Sequence, residues 1–98
     1  MDIEFELNEA LFKWDVDKAT GNIAKHGIAF EHAAQAFFDP EFRTIEADRN
    51  DELRDALIGF DAMARLLFVV HIEFGDGHIR LISARRATAQ ERDFYGNT

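Results

Sequence analysis

Phe30-Glu31-His32-Ala33-Ala34-Gln35-Ala36-Phe37-Phe38-Asp39-Pro40 separates two parts of this chain that follow different periodicities. Within it Phe30, Ala33, Ala34, Phe37 and Phe38 fall at i, i+3, i+4, i+7 and i+8, the spacing of one apolar stripe on an α-helix. The spacing predicts a helix over residues 30–38. Asp39-Pro40 closes it, because the proline ring pushes the residue before it out of helical geometry.

Downstream the pattern changes to period two, and strands are expected around Arg43–Ala47, Leu53–Phe60, Leu66–Phe74 and His78–Ala84. Gly75-Asp76-Gly77 supplies positive-φ residues for a hairpin between the last two. Thr88-Ala89-Gln90-Glu91 has capping-box spacing and opens a short helix running to about Tyr95. Upstream, Phe12 and Trp14 alternate around Lys13, as in a short strand. Asp15 stands where an N-cap belongs, and Val16, Ala19 and Ile23 lead to a terminating Gly27, with Lys25 and His26 in the last turn, where the helix dipole favours cations. The order is an N-terminal short strand, two helices, an antiparallel four-strand meander and a short C-terminal helix, which is an α+β fold. Phe37, Phe38, Phe68 and Phe74 read as core.

The 98 residues, 47% apolar with ten Phe, suffice for a single domain over 1–98 and not for two. A domain this small buries only about 60–65% of its unfolded surface, so dependence on a partner is expected. Without cysteine there is no disulfide framework and no thiolate metal site. The longest apolar stretch, Leu66 to Ile72, is interrupted by His71 and falls well short of the roughly 20 residues of a membrane span. Met1-Asp2-Ile3-Glu4 is acidic where a secretory leader is basic, so a cytoplasmic location is expected.

A net charge of −8 argues against coating nucleic acid by bulk attraction. The charge is uneven: residues 1–64 carry six Lys/Arg against fifteen Asp/Glu, whereas residues 65–98 carry five Arg against four acids. An anion site is therefore expected in the C-terminal third.

Four segments have the composition of a chemical site. Lys25-His26-Gly27 joins an ammonium to an imidazole that titrates near neutrality, suited to proton transfer and to stabilising a phosphorane; the same residues also serve as ordinary C-terminal caps. Ser83-Ala84-Arg85-Arg86-Ala87-Thr88 brings two guanidiniums to a strand end just before a helix N-terminus, a pattern that matches phosphate or, alternatively, solvated and salt-bridged arginines. Arg80 can add a third positive group. Glu46, Asp48, Asp51 and Glu52 read as a solvated loop more than a carboxylate metal cluster. Of the histidines, His71 reads as a hydrogen-bonded sheet residue, His32 as surface, and His78 as a residue at the Arg80 end of the sheet; no pair has metal-ligand spacing, and no metal or cofactor is expected. Tyr95 either folds back over the arginines or anchors its helix.

Phe12-Lys13-Trp14-Asp15, Asn22-Ile23-Ala24-Lys25-His26-Gly27-Ile28 followed by Phe30, Arg80-Leu81-Ile82-Ser83-Ala84-Arg85-Arg86-Ala87-Thr88, then Glu91-Arg92 and Tyr95, in this order and spacing, resemble the BrnT family over about residues 12–95. The resemblance implies a fold related to the RelE-like ribonuclease toxins and metal-independent cleavage of RNA. It also implies neutralisation by a ribbon-helix-helix antitoxin of the BrnA type, through which the toxin reaches operator DNA as a co-repressor. A dimer of heterodimers is one assembly open to such a pair. Attack of a ribose 2′-hydroxyl on the adjacent phosphate needs a proton acceptor, positive groups and a donor to the leaving oxygen. Arg85 and Arg86 are expected as phosphate ligands with Arg80 in support, Lys25 and His26 as proton-transfer or charge-stabilising groups, and Tyr95 as a stacking or donating group. The alternative is an inactive toxin-like module that acts only as co-repressor. Ala29 stands where the family favours a capping serine, which removes a hydrogen bond worth about 0.5–2 kcal/mol.

Overall fold

The computed structural model describes residues 1–49 and 52–97, with the backbone alone for residues 46–49, 52 and 53. The four period-two segments form strands β3 (Arg43–Arg49), β4 (Glu52–Phe60), β5 (Leu66–Glu73) and β6 (Ile79–Arg86), paired antiparallel in succession. The meander is thus present, but the sheet has six strands rather than four, in the order β1-β2-β6-β5-β4-β3. Beyond the meander lie β2 (Ala10–Asp15), the short strand expected at Phe12 and Trp14, and an unexpected β1 (Asp2–Leu7), which pair as an N-terminal hairpin. Asn8 and Glu9 turn it with φ of 50° and 70°, the double positive φ of a tight hairpin turn. Phe12 and Lys13 pair parallel with Ile79 and Arg80, which makes the sheet mixed.

The expected caps are in place. Asp15 accepts from the backbone N–H groups of Asp17 and Lys18, and Gly27 closes helix α1 (Val16–His26) at φ 72°. The stripe at Phe30 is broken: α2 (Phe30–Gln35) tightens into a 3₁₀ turn at Ala36–Phe38, and Ala29 makes no side-chain cap bond. Phe30, Ala33, Ala34 and Ala36 are buried, whereas Phe38, on the tightened turn, is 39% exposed. Phe74 is exposed too, and in the last hairpin only Gly77, at φ 93°, takes a positive φ. Thr88 and Glu91 form the capping box of α3 (Ala89–Gly96).

Helices α1 and α2 cover one face of the sheet. Phe12 and Trp14 of β2, Leu57 of β4, Leu67 and Val69 of β5, and Leu81 and Ala84 of β6 meet Ile28, Phe30, Ala33, Ala34 and Ala36 there. Trp14 sets its ring edge-on to Phe30, and Phe12 does the same to Phe37. Ile3, Phe5 and Leu7 extend the cluster onto β1, so Asp2, Glu4 and Glu6 stand on the other face. Side chains tie the ends together: Asp39 accepts from the N–H of Phe60 at 2.9 Å, and Gln35 from that of Ala62 at 3.0 Å.

The 3₁₀ turn lies directly on β4 at Gly59, where an added Cβ would stand 2.5 Å from the carbonyl oxygen of Ala36. Gly59→Ala therefore forces backbone apart and should destabilise the protein by about 1–3 kcal/mol, read as a lower urea midpoint with unchanged slope.

Candidate functional site

Buried Asn22, on α1, donates from Nδ2 to the carbonyls of Ile28 and Ala84, both at 2.8 Å, and accepts at Oδ1 from the N–H of Ala84 at 3.0 Å. At Ala84 the strand has β5 on one side, and its pairing with β2 is confined to Ile79 and Arg80. The Asn22 amide replaces the missing neighbour by satisfying both backbone groups of one residue. It also fixes the α1–α2 turn to the C-terminal end of β6. Lys25 and His26 lie one helical turn beyond Asn22, and Arg85 and Arg86 follow Ala84. The two basic segments, far apart in sequence, thus end at the same corner of the fold.

The strand does not end at Ala84; it runs through both arginines. A bulge sets their directions. Val70 pairs with Ser83 while His71 pairs with Leu81, so Ile82 is an extra residue in β6. Leu81 and Ala84, three apart, therefore both reach the core beneath the helices. Arg85, opposite Phe68, turns to the other face, where its guanidinium carbon stands 4.2 Å from the Phe68 ring centre. Alternation returns Arg86 to the helix side, where it is exposed and its side chain makes no hydrogen bond or ion pair among the described residues.

Arg85 is not free. Its two terminal nitrogens donate to the two carboxylate oxygens of Glu91 at 2.8 Å each, and one also donates to the Arg86 carbonyl at 3.1 Å. Glu91 Oε1 accepts in addition from the Thr88 N–H, so a single carboxylate caps α3 and holds Arg85. The pairing with Arg85 keeps the Glu91 carboxyl below its usual pKa and raises that of the guanidinium. A five-donor guanidinium so engaged retains its Nε–H and one Nη2–H for another acceptor.

Arg80 and Tyr95 lie apart from this corner. Arg80 makes a two-point pair with Asp2 on β1 at 2.9 and 3.0 Å. Tyr95 lies one turn beyond Glu91, and its hydroxyl donates to Asp39 at 2.7 Å while its ring meets the Phe60 ring edge-on. Of the two expectations for Tyr95, the contacts are those of a helix anchor. Since α3 has no buried residue, the Glu91 and Tyr95 contacts, together with that of Arg43 to the Asn97 carbonyl, hold it in place.

Among the histidines, His71 is buried, with Nδ1 on the Val69 carbonyl. His32 is half-buried and bonded to Arg65, itself paired with Asp61. His78 pairs with Asp76 and stacks on Phe74. The acids Glu46, Asp48, Asp51 and Glu52 have side chains outside the described residues, although β3 and β4 carry the backbone of Glu46, Asp48 and Glu52.

The family model described as ribonuclease toxin, BrnT, of type II toxin-antitoxin system matches residues 14–91. The chain belongs to the BrnT family. In three dimensions it is similar to the Brucella abortus ribonuclease toxin BrnT, whose crystal structure superposes with a TM-score of 0.61 at 26% sequence identity, over 76% of this chain and 92% of that one. No curated protein sequence matches the chain. The span matched to the BrnT family contains α1 with Asn22, Lys25 and His26, and β6 with Arg80, Arg85 and Arg86, and it closes at Glu91; strand β1 and Tyr95 lie outside it. Among the described residues no helix is long and apolar enough to cross a membrane.

Two expectations follow. Asn22→Ala leaves buried backbone groups of Ala84 and Ile28 unpaired and should cost about 2–4 kcal/mol in chemical denaturation. Tyr95, the single tyrosine, has its pKa pushed up to about 12 by burial and by the bond to Asp39. The stabilisation from its protonated hydroxyl is complete below the ordinary phenol value of about 10 and is lost as pH rises through the folded-state value. Phenolate absorbance should therefore appear only near the upper value in the folded protein, and Asp39→Asn should bring the midpoint part of the way down, leaving the share due to burial.

Proposed function

We propose that this chain, acting as one toxin domain over residues 1–98 in the cytoplasm, cleaves RNA without a metal ion, by attack of a ribose 2′-hydroxyl on the neighbouring phosphate. The observation that carries this reading is the joining of Lys25-His26 to Arg85-Arg86 at one corner through the Asn22 bonds to Ala84. Arg86, exposed and unpaired among the described residues, is the first phosphate ligand. Arg85 adds its remaining N–H groups while Glu91 fixes its plane, which lowers the ordering cost of binding. Lys25 and His26 divide proton transfer and stabilisation of the phosphorane between them, and the lysine and the two arginines supply the positive charge the transition state requires. Arg80 and Tyr95 join the site in a weaker sense, since each must first exchange its carboxylate, Asp2 or Asp39, for substrate.

The partner in this reading is a ribbon-helix-helix antitoxin similar to the BrnA type, with operator DNA reached only through it and a dimer of heterodimers as the assembly. The net charge of −8 supports a basic antitoxin segment, because complementary charge speeds association and suppresses wrong partners. A second reading, an inactive module that serves as co-repressor, is favoured by the two-point hold of Glu91 on Arg85.

The test is cleavage of naked RNA by antitoxin-free protein in the presence of a chelator. Wild type should release products with 5′-hydroxyl ends, and Arg86→Ala should lower the rate by about 10²-fold or more, the scale of losing one charge-stabilising group. Arg86 is the informative position because Arg85→Ala also removes the anchor of α3. Folded wild type that leaves RNA intact yet tightens operator binding by the antitoxin would establish the second reading.

A further inference from the structure

At the far end of the helix-covered face, where α2 and its 3₁₀ turn leave the sheet open, a cleft of about 400 Å³ is lined by Thr44, Ile45, Asp55, His71 and Glu73. It adjoins a smaller hollow of about 120 Å³ to which Phe37, Phe42 and Ile79 contribute apolar walls. The position is remote from the basic corner: β5 runs about 17 Å between Phe68, opposite Arg85, and Glu73, opposite Ile79, and Arg85 faces the other side of the sheet.

Every polar side chain of this cleft can accept a hydrogen bond. The side chains of Asp55 and Glu73 carry no hydrogen bond or ion pair among the described residues. His71 is only 5% exposed and stands edge-on to Phe37 at 4.8 Å. Its Nδ1 lies 3.2 Å from the Val69 carbonyl, which can only accept, so the ring proton resides on Nδ1 and Nε2 offers a lone pair. Burial lowers the pKa of the ring and keeps it neutral. Nε2, on the side of the ring away from Val69, has no partner among the described residues and is the nitrogen left for the cleft. The Thr44 hydroxyl adds another acceptor. Asp55, His71 and Glu73 do not converge tightly enough to hold a metal ion among themselves.

Two unneutralised carboxylates and a buried neutral imidazole acceptor, beside an aromatic and aliphatic wall, call for a cation with several donors and an apolar stem. We infer that this cleft is a binding site for a guanidinium group, with Asp55, Glu73 and His71 Nε2 receiving its N–H donors and Phe37, Phe42 and Ile79 flanking its alkyl chain. A guanidinium fits better than an ammonium because its donors are spread in a plane and its faces are weakly hydrated, so it can rest on apolar surface. The ligand is either a free alkylguanidine or an arginine side chain of a partner, and the chemistry of recognition is the same for both.

Titration of the full-length protein with agmatine and with N-acetyl-arginine methylamide, followed through the imidazole resonances, tests this. Both should shift the His71 signals saturably, and the neutral analogue N-acetyl-citrulline methylamide should not. Tighter binding of the blocked arginine identifies a protein side chain as the source, and tighter binding of agmatine identifies a free cation. Glu73→Gln, at an exposed position that cannot disturb the core, should weaken the affinity by at least about fivefold, and Asp55→Asn by a similar factor. An equal response to the citrulline analogue, an undiminished response in both variants, or no saturable shift at His71 would overturn the assignment. None of these readouts depends on RNA cleavage, so the site stands or falls apart from the ribonuclease reading.

Discussion

The side-chain amide of Asn22 on the backbone of Ala84 is the contact on which the rest of this molecule turns. A mixed sheet whose parallel pairing covers only two residues leaves the last part of β6 with an open edge beneath the helices. Buried there, an unpaired N–H and C=O would each cost about 1–3 kcal/mol. One asparagine satisfies both and reaches the Ile28 carbonyl as well, so strand edge, helix end and the turn into α2 become one unit. Leu or Val at position 22 would suit the helical stripe and leave those groups orphaned. The same bonds bring the basic end of α1 to the basic end of β6.

Carboxylates determine how much of that positive charge is available. Asp2 and Glu91 each take a guanidinium by a two-point pair, Arg80 and Arg85 respectively, and Glu4 lies 3.7 Å from Lys13. The acidic excess of the N-terminal part is thus not a diffuse cloud: two of its side chains, Asp2 and Glu4, stand directly on cations of the sheet, as does Glu91 of α3. Among the described residues the side chains of Lys18, Lys25, Arg86 and Arg92 make no hydrogen bond or ion pair, and of these Arg86 is directed to the helix side by the bulge at Ile82. Positive charge on this protein is therefore concentrated in a few residues, in keeping with local recognition of a phosphate and not with a broad electrostatic footprint.

Much of the architecture was legible along the chain. The caps at Asp15, Gly27 and Thr88 and the four period-two segments report local preferences that survive because packing agrees with them, whereas the Phe30 stripe holds only as far as Gln35, where the helix gives way to the 3₁₀ turn. Strand β1 was legible in principle, since Ile3, Phe5 and Leu7 alternate with Glu4 and Glu6; its turn at Asn8-Glu9 lacks the glycine that usually marks a hairpin. Ile23 fits a helical stripe yet is 51% exposed, because the buried side of α1 at that level is the polar Asn22. The guanidinium cleft left no trace in sequence, as Thr44, Asp55, His71 and Glu73 are brought together only by strand register.

The sequence by itself determined element types, helix ends, the absence of disulfides and the two basic segments, because each depends on residues within about one turn or one hairpin of one another. The tertiary structure alone decided the number of strands, the join between α1 and β6, the carboxylate assigned to each arginine, and the anchoring of Tyr95 on Asp39. These depend on pairs separated by up to 78 residues, as with Asp2 and Arg80. A hydrogen bond between distant residues is selected by the folded geometry that brings donor to acceptor, and no local propensity encodes that choice.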